Sequence, residues 1–367
     1  MEEYPVPDAR PTVALAANAA MLEGVLASTG LERIRALADV RSAEFDRPVG
    51  YIDAPAPDAE ADRRLIEHIG DAQAVVLSMG APRVTGEIMD ACPNLRFIGE
   101  LEGDRFANRI DVEAAWQRGI RTVDTTNGSS YGVSEWALTL MLIGLRNAGA
   151  QFRDVIGRGP WFHSVPRQER TFVPDELTGR TVGLIGCGII ARRLLELLEP
   201  FHCEIFVHDP YVPKELADIF DVTFTSLDTV LSTADVVVCL APITPATRGM
   251  LGARELALIR DGGVFVNVSR GQIVDSEALI AELRSERIVA ALDVFDPEPI
   301  PEDSPIRDLP NAFVTAHTAA FTRSTRQRNV VIMADELERF FAGHETRYDL
   351  LPRTIANRTG QEPPRRV

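Results

Sequence analysis

Gly186, Gly188 and Ala191 recur as Gly-x-Gly-x-x-Ala, and Asp209 follows 21 residues beyond Gly188. These residue types at this spacing suit a dinucleotide. The first glycine permits a tight turn, the second lets backbone approach a pyrophosphate, and the small third residue lets a helix pack on a strand. A carboxylate at the place of Asp209 accepts both ribose hydroxyls and repels a 2′-phosphate. Downstream stand Arg270, Asp293 and His317. They supply a fixed cation, a carboxylate, and a ring that exchanges a proton near neutral pH.

The glycines carry meaning only inside a strand-helix-strand unit. Thr181 to Ile185 reads as a short buried strand, Ile189 to Leu198 as a helix, and Glu204 to His208 as a second strand ending at Asp209. The free N–H groups and positive dipole end of that helix would face the phosphates. Further strands at Val236–Leu240, Val264–Asn267, Ile288–Asp293 and Ala312–Thr315 alternate with helices at Ser226–Ser232, Ala253–Arg260 and Ser276–Ser285, the last with Asp275 or Ser276 as N-cap. Arg270, Asp293 and His317 each fall at or just past the carboxyl end of one of these strands. Ligands bind at that edge of a doubly wound sheet, so the three residues should converge beside the nicotinamide of the dinucleotide.

The first 127 residues also alternate, with strands at Val13–Ala16, Ala74–Leu77, Leu95–Leu101 and Arg121–Asp124 and a helix at Asp111–Arg118. This is a small α/β domain without a glycine fingerprint. Residues 53–61 read as a Pro/Ala/Asp-rich loop and Thr125–Gly132 as a hinge. A helix over Val133–Ala148, apolar on most faces, is expected between domains. Ser324–Gly343 reads as a helix returning to the first domain, with Ser324 and Gln327 spaced as a capping box and Gly343 at its end. The terminal GQEPPRRV reads as a disordered tail.

At 367 residues the chain is long enough for two domains with separate cores. A net charge of −16 argues against nucleic acid or an anionic membrane as partner. The longest apolar run, Ala137–Leu145, has nine residues, short of the ~18 of a membrane span. The opening MEEYPVPDAR is acidic and carries no basic leader, which sets a cytoplasmic expectation. Cys92, Cys187, Cys203 and Cys239 are scattered and read as small buried thiols in a reducing compartment; oxidation of Cys187, inside the glycine turn, would impede cofactor binding. No His/Cys/carboxylate spacing suits a metal, so none is expected.

In GLIGCGIIA, DVVVCLAPITPATRGM, NVSRGQIVD, ALDVFDPEP and the histidine of AHTAAFT, the chain resembles the D-isomer-specific 2-hydroxyacid dehydrogenase family, the NAD-dependent group that includes phosphoglycerate, glycerate and D-lactate dehydrogenases. The resemblance covers nearly everything from Val133 to Ser324. It implies an α/β fold of two Rossmann-like domains with doubly wound parallel sheets. Residues 128–323 would form the NAD-binding domain, inserted into a smaller flavodoxin-like substrate domain built from 1–127 and 324–367. It implies a homodimer, a small 2-oxoacid or 2-hydroxyacid substrate, and NAD as cofactor.

Carried over by position, the resemblance makes Arg270 the substrate-binding arginine, His317 the acid/base and Glu298 the carboxylate paired with it. It extends the cofactor contacts from Gly186, Gly188, Asp209 and Asp293 to Ile189, Ile190, Ala241, Pro242, Thr247 and Val268. Reducing a 2-oxoacid needs a cation to hold the carboxylate and polarise the carbonyl, which a planar guanidinium does with two parallel bonds. It also needs a proton donor for the developing alkoxide; histidine starts near ~6.5 and a neighbouring carboxylate raises it. Formate dehydrogenases of the superfamily carry glutamine in place of that glutamate, so Glu298 argues against formate. Two departures bear on the substrate. Where members have a glycine-rich loop whose amides grip the carboxylate, this chain has the glycine-poor stretch from Glu100 to Asp111, in which Arg105 or Arg109 could supply side-chain contacts or face outward, balanced by Glu102 and Asp104. Leu240 stands where many members have histidine. Two readings stay open beside the dehydrogenase: an NAD(H)-sensing binding protein like the carboxy-terminal-binding corepressors, and a phosphite or phosphonate oxidoreductase.

Overall fold

In the computed structural model the residues described are 10–48, 54–102, 108–159, 161, 174–213 and 215–359. The expected tail at 360–367, residues 103–107 with Arg105, and residue 53 of the expected loop lie outside them. The chain divides into two compact units, Met1–Ser129 with Arg323–Val367, and Ser130–Thr322.

The first unit is built on five parallel strands: β1 (Thr12–Ala17), β2 (Asp39–Glu44), β3 (Ala74–Leu77), β4 (Phe97–Glu100) and β5 (Arg121–Asp124). Their spatial order is β2-β1-β3-β4-β5. Apolar side chains alternate between two cores. Ala14, Ala16, Val75, Leu77 and Ile98 face one helical layer, and Val13, Leu15, Ala74, Val76 and Phe97 the other, as a sheet covered on both faces requires. β2 carries the polar run DVRSAE and has no sequence signal; it forms as an edge strand in register with β1, Thr12 opposite Asp39. The expected loop over 53–61 ends earlier, because Asp58 accepts from Glu60 N and Ala61 N and starts the helix Ala59–Ile69. The helix expected from Ser324 begins one residue earlier and runs Arg323–Phe341. Ser324 is therefore inside it and is not its cap. Gly343 follows its end at φ +74°. A helix at Pro352–Thr359 had no counterpart in the sequence reading.

The second unit carries seven strands: β6 (Thr181–Ile185), β7 (Glu204–His208), β8 (Thr223–Phe224), β9 (Val236–Cys239), β10 (Val264–Asn267), β11 (Val289–Leu292) and β12 (Ala312–Val314). They lie in the order β12-β11-β10-β9-β6-β7-β8. Strand order reverses at β6, so the crevice between the carboxyl ends of β6 and β9 is the topological switch point. The expected single helix over 133–148 is two helices, Ser130–Leu145 and Ala148–Ile156. Asn147 breaks it with φ +42°, a left-handed conformation that asparagine tolerates better than most residues. The first helix buries Val133, Ala137, Leu140 and Met141 in the same core as Val182, Leu184, Val236 and Val264. The run expected as a hinge forms a 3-10 turn, Thr126–Ser129, whose Thr126 N–H donates to Asp124 Oδ1 at 2.8 Å. Among the described residues, no helix is long and apolar enough to cross a membrane.

Candidate active site

The seven-stranded sheet fixes where each candidate falls. Cα register sets Ile185 opposite Cys239, Cys239 opposite Asn267, Asn267 opposite Leu292 and Leu292 opposite Val314. The glycine turn, Ala241, Val268 to Arg270, Asp293 and His317 therefore all leave the sheet at one edge, as the sequence spacing implies.

At the switch point, Gly186 has φ +97°, and a Cβ there would stand 2.8 Å from Ala241 N. No other residue suits both the turn and the approach. A Cβ on Gly188 meets nothing within 4 Å, so open space lies before the helix Ile189–Leu198. Gly188 supplies no side-chain cap to that helix. Its first-turn amides are thus placed to receive an anionic group. Asp209 Oδ2 accepts from Cys187 N at 2.8 Å and Oδ1 from Tyr211 N at 2.9 Å. Each oxygen keeps a lone pair for a ribose hydroxyl. These residues fit a dinucleotide. Cys187, enclosed by the same turn, is fully buried, and burial pushes its thiol up, which makes it a poor target for oxidants. Thr247 braces its own loop, accepting from Thr244 N at 2.8 Å and donating to Pro242 O at 2.7 Å. Ala241 and Val268 are buried, and Ile189 is exposed.

Beyond β10 the buried Asn267 shapes the turn that presents Arg270. Its Nδ2 donates to Arg270 O at 3.1 Å and its Oδ1 accepts from Ser269 N at 3.0 Å. Gly271 then passes so close to Phe295 that a Cβ would stand 1.8 Å from that carbonyl oxygen. Arg270 emerges half-buried, with Nη1 donating to Ser269 O at 2.6 Å.

His317 follows β12 with φ +51°, again left-handed. Both carboxylate oxygens of Glu298 lie 3.0 Å from its Nδ1. The shared partner puts a proton on Nδ1 and leaves Nε2 for exchange. The imidazole and carboxylate are 14% and 22% exposed, so they are largely dry yet reachable. Phe321 meets the imidazole edge-on, with ring centroids 6.1 Å apart.

Asp293 is fully buried just past β11. Its Oδ1 accepts from Thr315 Oγ1 at 2.5 Å and Thr318 N at 3.0 Å, and its Oδ2 from Ala319 N at 2.9 Å. Sequence reasoning missed Asn267 and Thr315. A polar residue closing an apolar strand, as in VFVN, was the available signal for Asn267.

In the first unit, Arg109 is not outward-facing. It is 2% exposed, with Nη1 2.8 Å from Glu100 Oε1, itself fully buried. Burial is the largest influence on Glu100 and pushes its carboxyl up to about 7, with Arg109 opposing and Asp124 adding. Burial raises Glu102 as well; its carboxylate accepts from Ser78 Oγ.

The chain matches the family described as D-isomer specific 2-hydroxyacid dehydrogenase, NAD binding domain, over residues 138–319. A D-3-phosphoglycerate dehydrogenase of Methanocaldococcus jannaschii is 33% identical over 281 residues, 76% of this chain and 52% of that one. A mitochondrial formate dehydrogenase of Solanum tuberosum is 32% identical over 294 residues, 79% of this chain and 75% of that one. Among solved structures, a phosphoglycerate oxidoreductase from Rhizobium etli shares the fold with a TM-score of 0.74, covering 93% of this chain and 98% of its own at 24% identity. The chain belongs to the D-isomer-specific 2-hydroxyacid dehydrogenase family and contains its NAD-binding domain. It spans about half the length of the archaeal phosphoglycerate dehydrogenases it matches.

Asp209 is followed immediately by Pro210 and Tyr211, neither of them a cation that would offset a 2′-phosphate. NADH should bind at least ~10-fold more tightly than NADPH, about 1.4 kcal/mol. Fluorescence titration of both cofactors checks this, and equal or tighter NADPH binding contradicts it.

Proposed function

We propose that the protein is an NAD(H)-dependent oxidoreductase interconverting a 2-oxoacid and a D-2-hydroxyacid. NADH, when bound, supplies the hydride. Arg270 holds the substrate carboxylate and polarises the carbonyl, and His317 Nε2 gives its proton to the developing alkoxide. Glu298 accepts from Nδ1, orients the ring and stabilises the imidazolium. The observation that carries this reading is the pair of 3.0 Å contacts between Glu298 and His317 Nδ1.

That pair also discriminates among relatives. Oxidising formate to carbon dioxide removes a hydride and transfers no proton to the enzyme, so a histidine-carboxylate relay has no task there. Reducing a carbonyl requires one proton per hydride.

The setting we propose is a cytoplasmic homodimer. Three buried cysteines and a half-buried one, all unpaired, support a reducing compartment. An exposed apolar stripe of Phe152, Val155 and Ile156 on the helix Ala148–Ile156 supports self-association.

The test is NADH oxidation with glyoxylate, hydroxypyruvate, bulky aliphatic and aromatic 2-oxoacids and phosphonopyruvate, beside NAD reduction with formate and with phosphite. Turnover of at least one 2-oxoacid is expected. NADH binding without turnover of any of them, or turnover of formate or phosphite alone, overturns the proposal.

A further inference from the structure

We infer that Ser269 is a positioning residue for Arg270: it fastens the loop that presents the guanidinium to the loop after β9. This role rests on the reading above, in which Arg270 grips the substrate carboxylate. Each polar group of Ser269 is committed to the fold of the second unit. Its N–H donates to Asn267 Oδ1 at 3.0 Å, and its carbonyl accepts from Arg270 Nη1 at 2.6 Å. Its hydroxyl donates to Ala241 O. The parallel register pairs Asn267 of β10 with Cys239 of β9, and both strands end there. Ser269 and Ala241 stand two residues beyond those paired ends. The hydroxyl therefore adds a side-chain rung to the ladder where the strands have stopped.

Arg270 needs that rung. A two-pronged grip on a carboxylate requires the planar guanidinium in one orientation, and the side chain that carries it is long and rotates freely. The bond from Nη1 to Ser269 O removes part of that freedom. It fixes the fork only as well as the carbonyl is itself held. On the far side of Arg270, backbone contacts do the holding. Gly271 lies against Phe295, and Gly249 N and Leu251 N donate to Gln272 O and Ile273 O at 2.8 and 3.0 Å. On the near side, side chains secure the backbone. Asn267, 1% exposed, closes the turn from within through its bonds to Ser269 N and Arg270 O. The Ser269 hydroxyl reaches from this side to the loop after β9.

Ser269→Ala removes the rung and spares the backbone groups. KM for the best 2-oxoacid should rise on the order of 10-fold, while kcat and NADH affinity stay within about threefold. Oxamate, an unreactive isostere of a 2-oxoacid, should bind the NADH complex more weakly by the same factor. Ser269→Thr, which keeps the hydroxyl, should stay near wild type. Ser269→Val, of the same shape without the hydroxyl, should match Ser269→Ala. Hydrogen exchange of the amide at position 269 should quicken at least ~10-fold in the alanine and valine variants, with β6 and β7 unchanged. Unchanged exchange there overturns the tie between the two loops, whatever the enzyme turns over. Faster exchange with unchanged KM and oxamate affinity overturns the positioning of Arg270. So does a loss of NADH affinity as large as the loss for oxamate, since the hydroxyl would then serve the cofactor. Wild-type protein that binds NADH, reduces no 2-oxoacid and binds no oxamate refutes the functional reading and with it the role of Arg270; exchange at 269 still decides the tie.

Discussion

Replacing His317 by glutamine is expected to lower 2-oxoacid reduction on the order of 10²- to 10⁴-fold while leaving NADH binding intact, the loss typical of a missing general acid. The amide keeps most of the ring's polar reach, so its Nε2 can still donate to Glu298. It cannot carry a transferable proton. The two functions separate because the imidazole lies beyond β12, whereas the glycine turn and Asp209 follow β6 and β7, on the other side of β9 in the sheet. Steady-state turnover beside an NADH titration checks both halves. Near-native turnover would remove His317 from the chemistry.

Replacing Arg109 by methionine is expected to cost the first unit about 3–5 kcal/mol, because it leaves one charge of a buried pair without its partner. In a unit of this size that is on the order of 10 °C in Tm. Glu100 is fully buried, and Arg109 is the cation opposing its elevation to about 7. The loss should depend on pH. A carboxyl whose folded pKa lies above its unfolded value contributes fully below the unfolded value, near 4.5, and that contribution is lost as pH rises through the folded one. Removing Arg109 raises the folded value further. The deficit in Tm should therefore be small at pH 5 and large at pH 8. Adding Glu100→Gln should recover much of it, since replacing both members of a buried pair is often near neutral. Thermal unfolding of the single and double variants at both pH values checks this. A deficit equal at pH 5 and pH 8 contradicts the role given to the pair.

The cofactor site was legible because its signals are local. Short β-branched runs, a Gly-x-Gly-x-x-Ala turn and an acid at a fixed remove lie within one stretch, and a parallel sheet converts strand ends into neighbours. The placement of Arg270 and His317 at the same edge of the sheet was legible for the same reason. What was hidden depends on contacts made across the chain. β2 has no apolar alternation, since an edge strand needs only a partner ladder to form. Arg109 reads as a surface charge until Glu100, nine residues away, is found beside it with both side chains buried. The amides of Thr318 and Ala319, 25 and 26 residues beyond Asp293, donate to its carboxylate, and no local pattern announces those bonds.

The central claim is that the Glu298–His317 pair delivers the proton in carbonyl reduction. The most direct measurement is kcat for 2-oxoacid reduction by wild type and by Glu298→Gln, beside an NADH titration of both. The substitution puts a neutral amide where a carboxylate lies against Nδ1. The protonated ring that delivers the proton then loses its countercharge, so kcat should fall on the order of 10- to 100-fold while NADH affinity is kept. Near-native kcat in Glu298→Gln would mean that the carboxylate 3.0 Å from Nδ1 does not govern the proton, and the relay assigned to this site would be wrong.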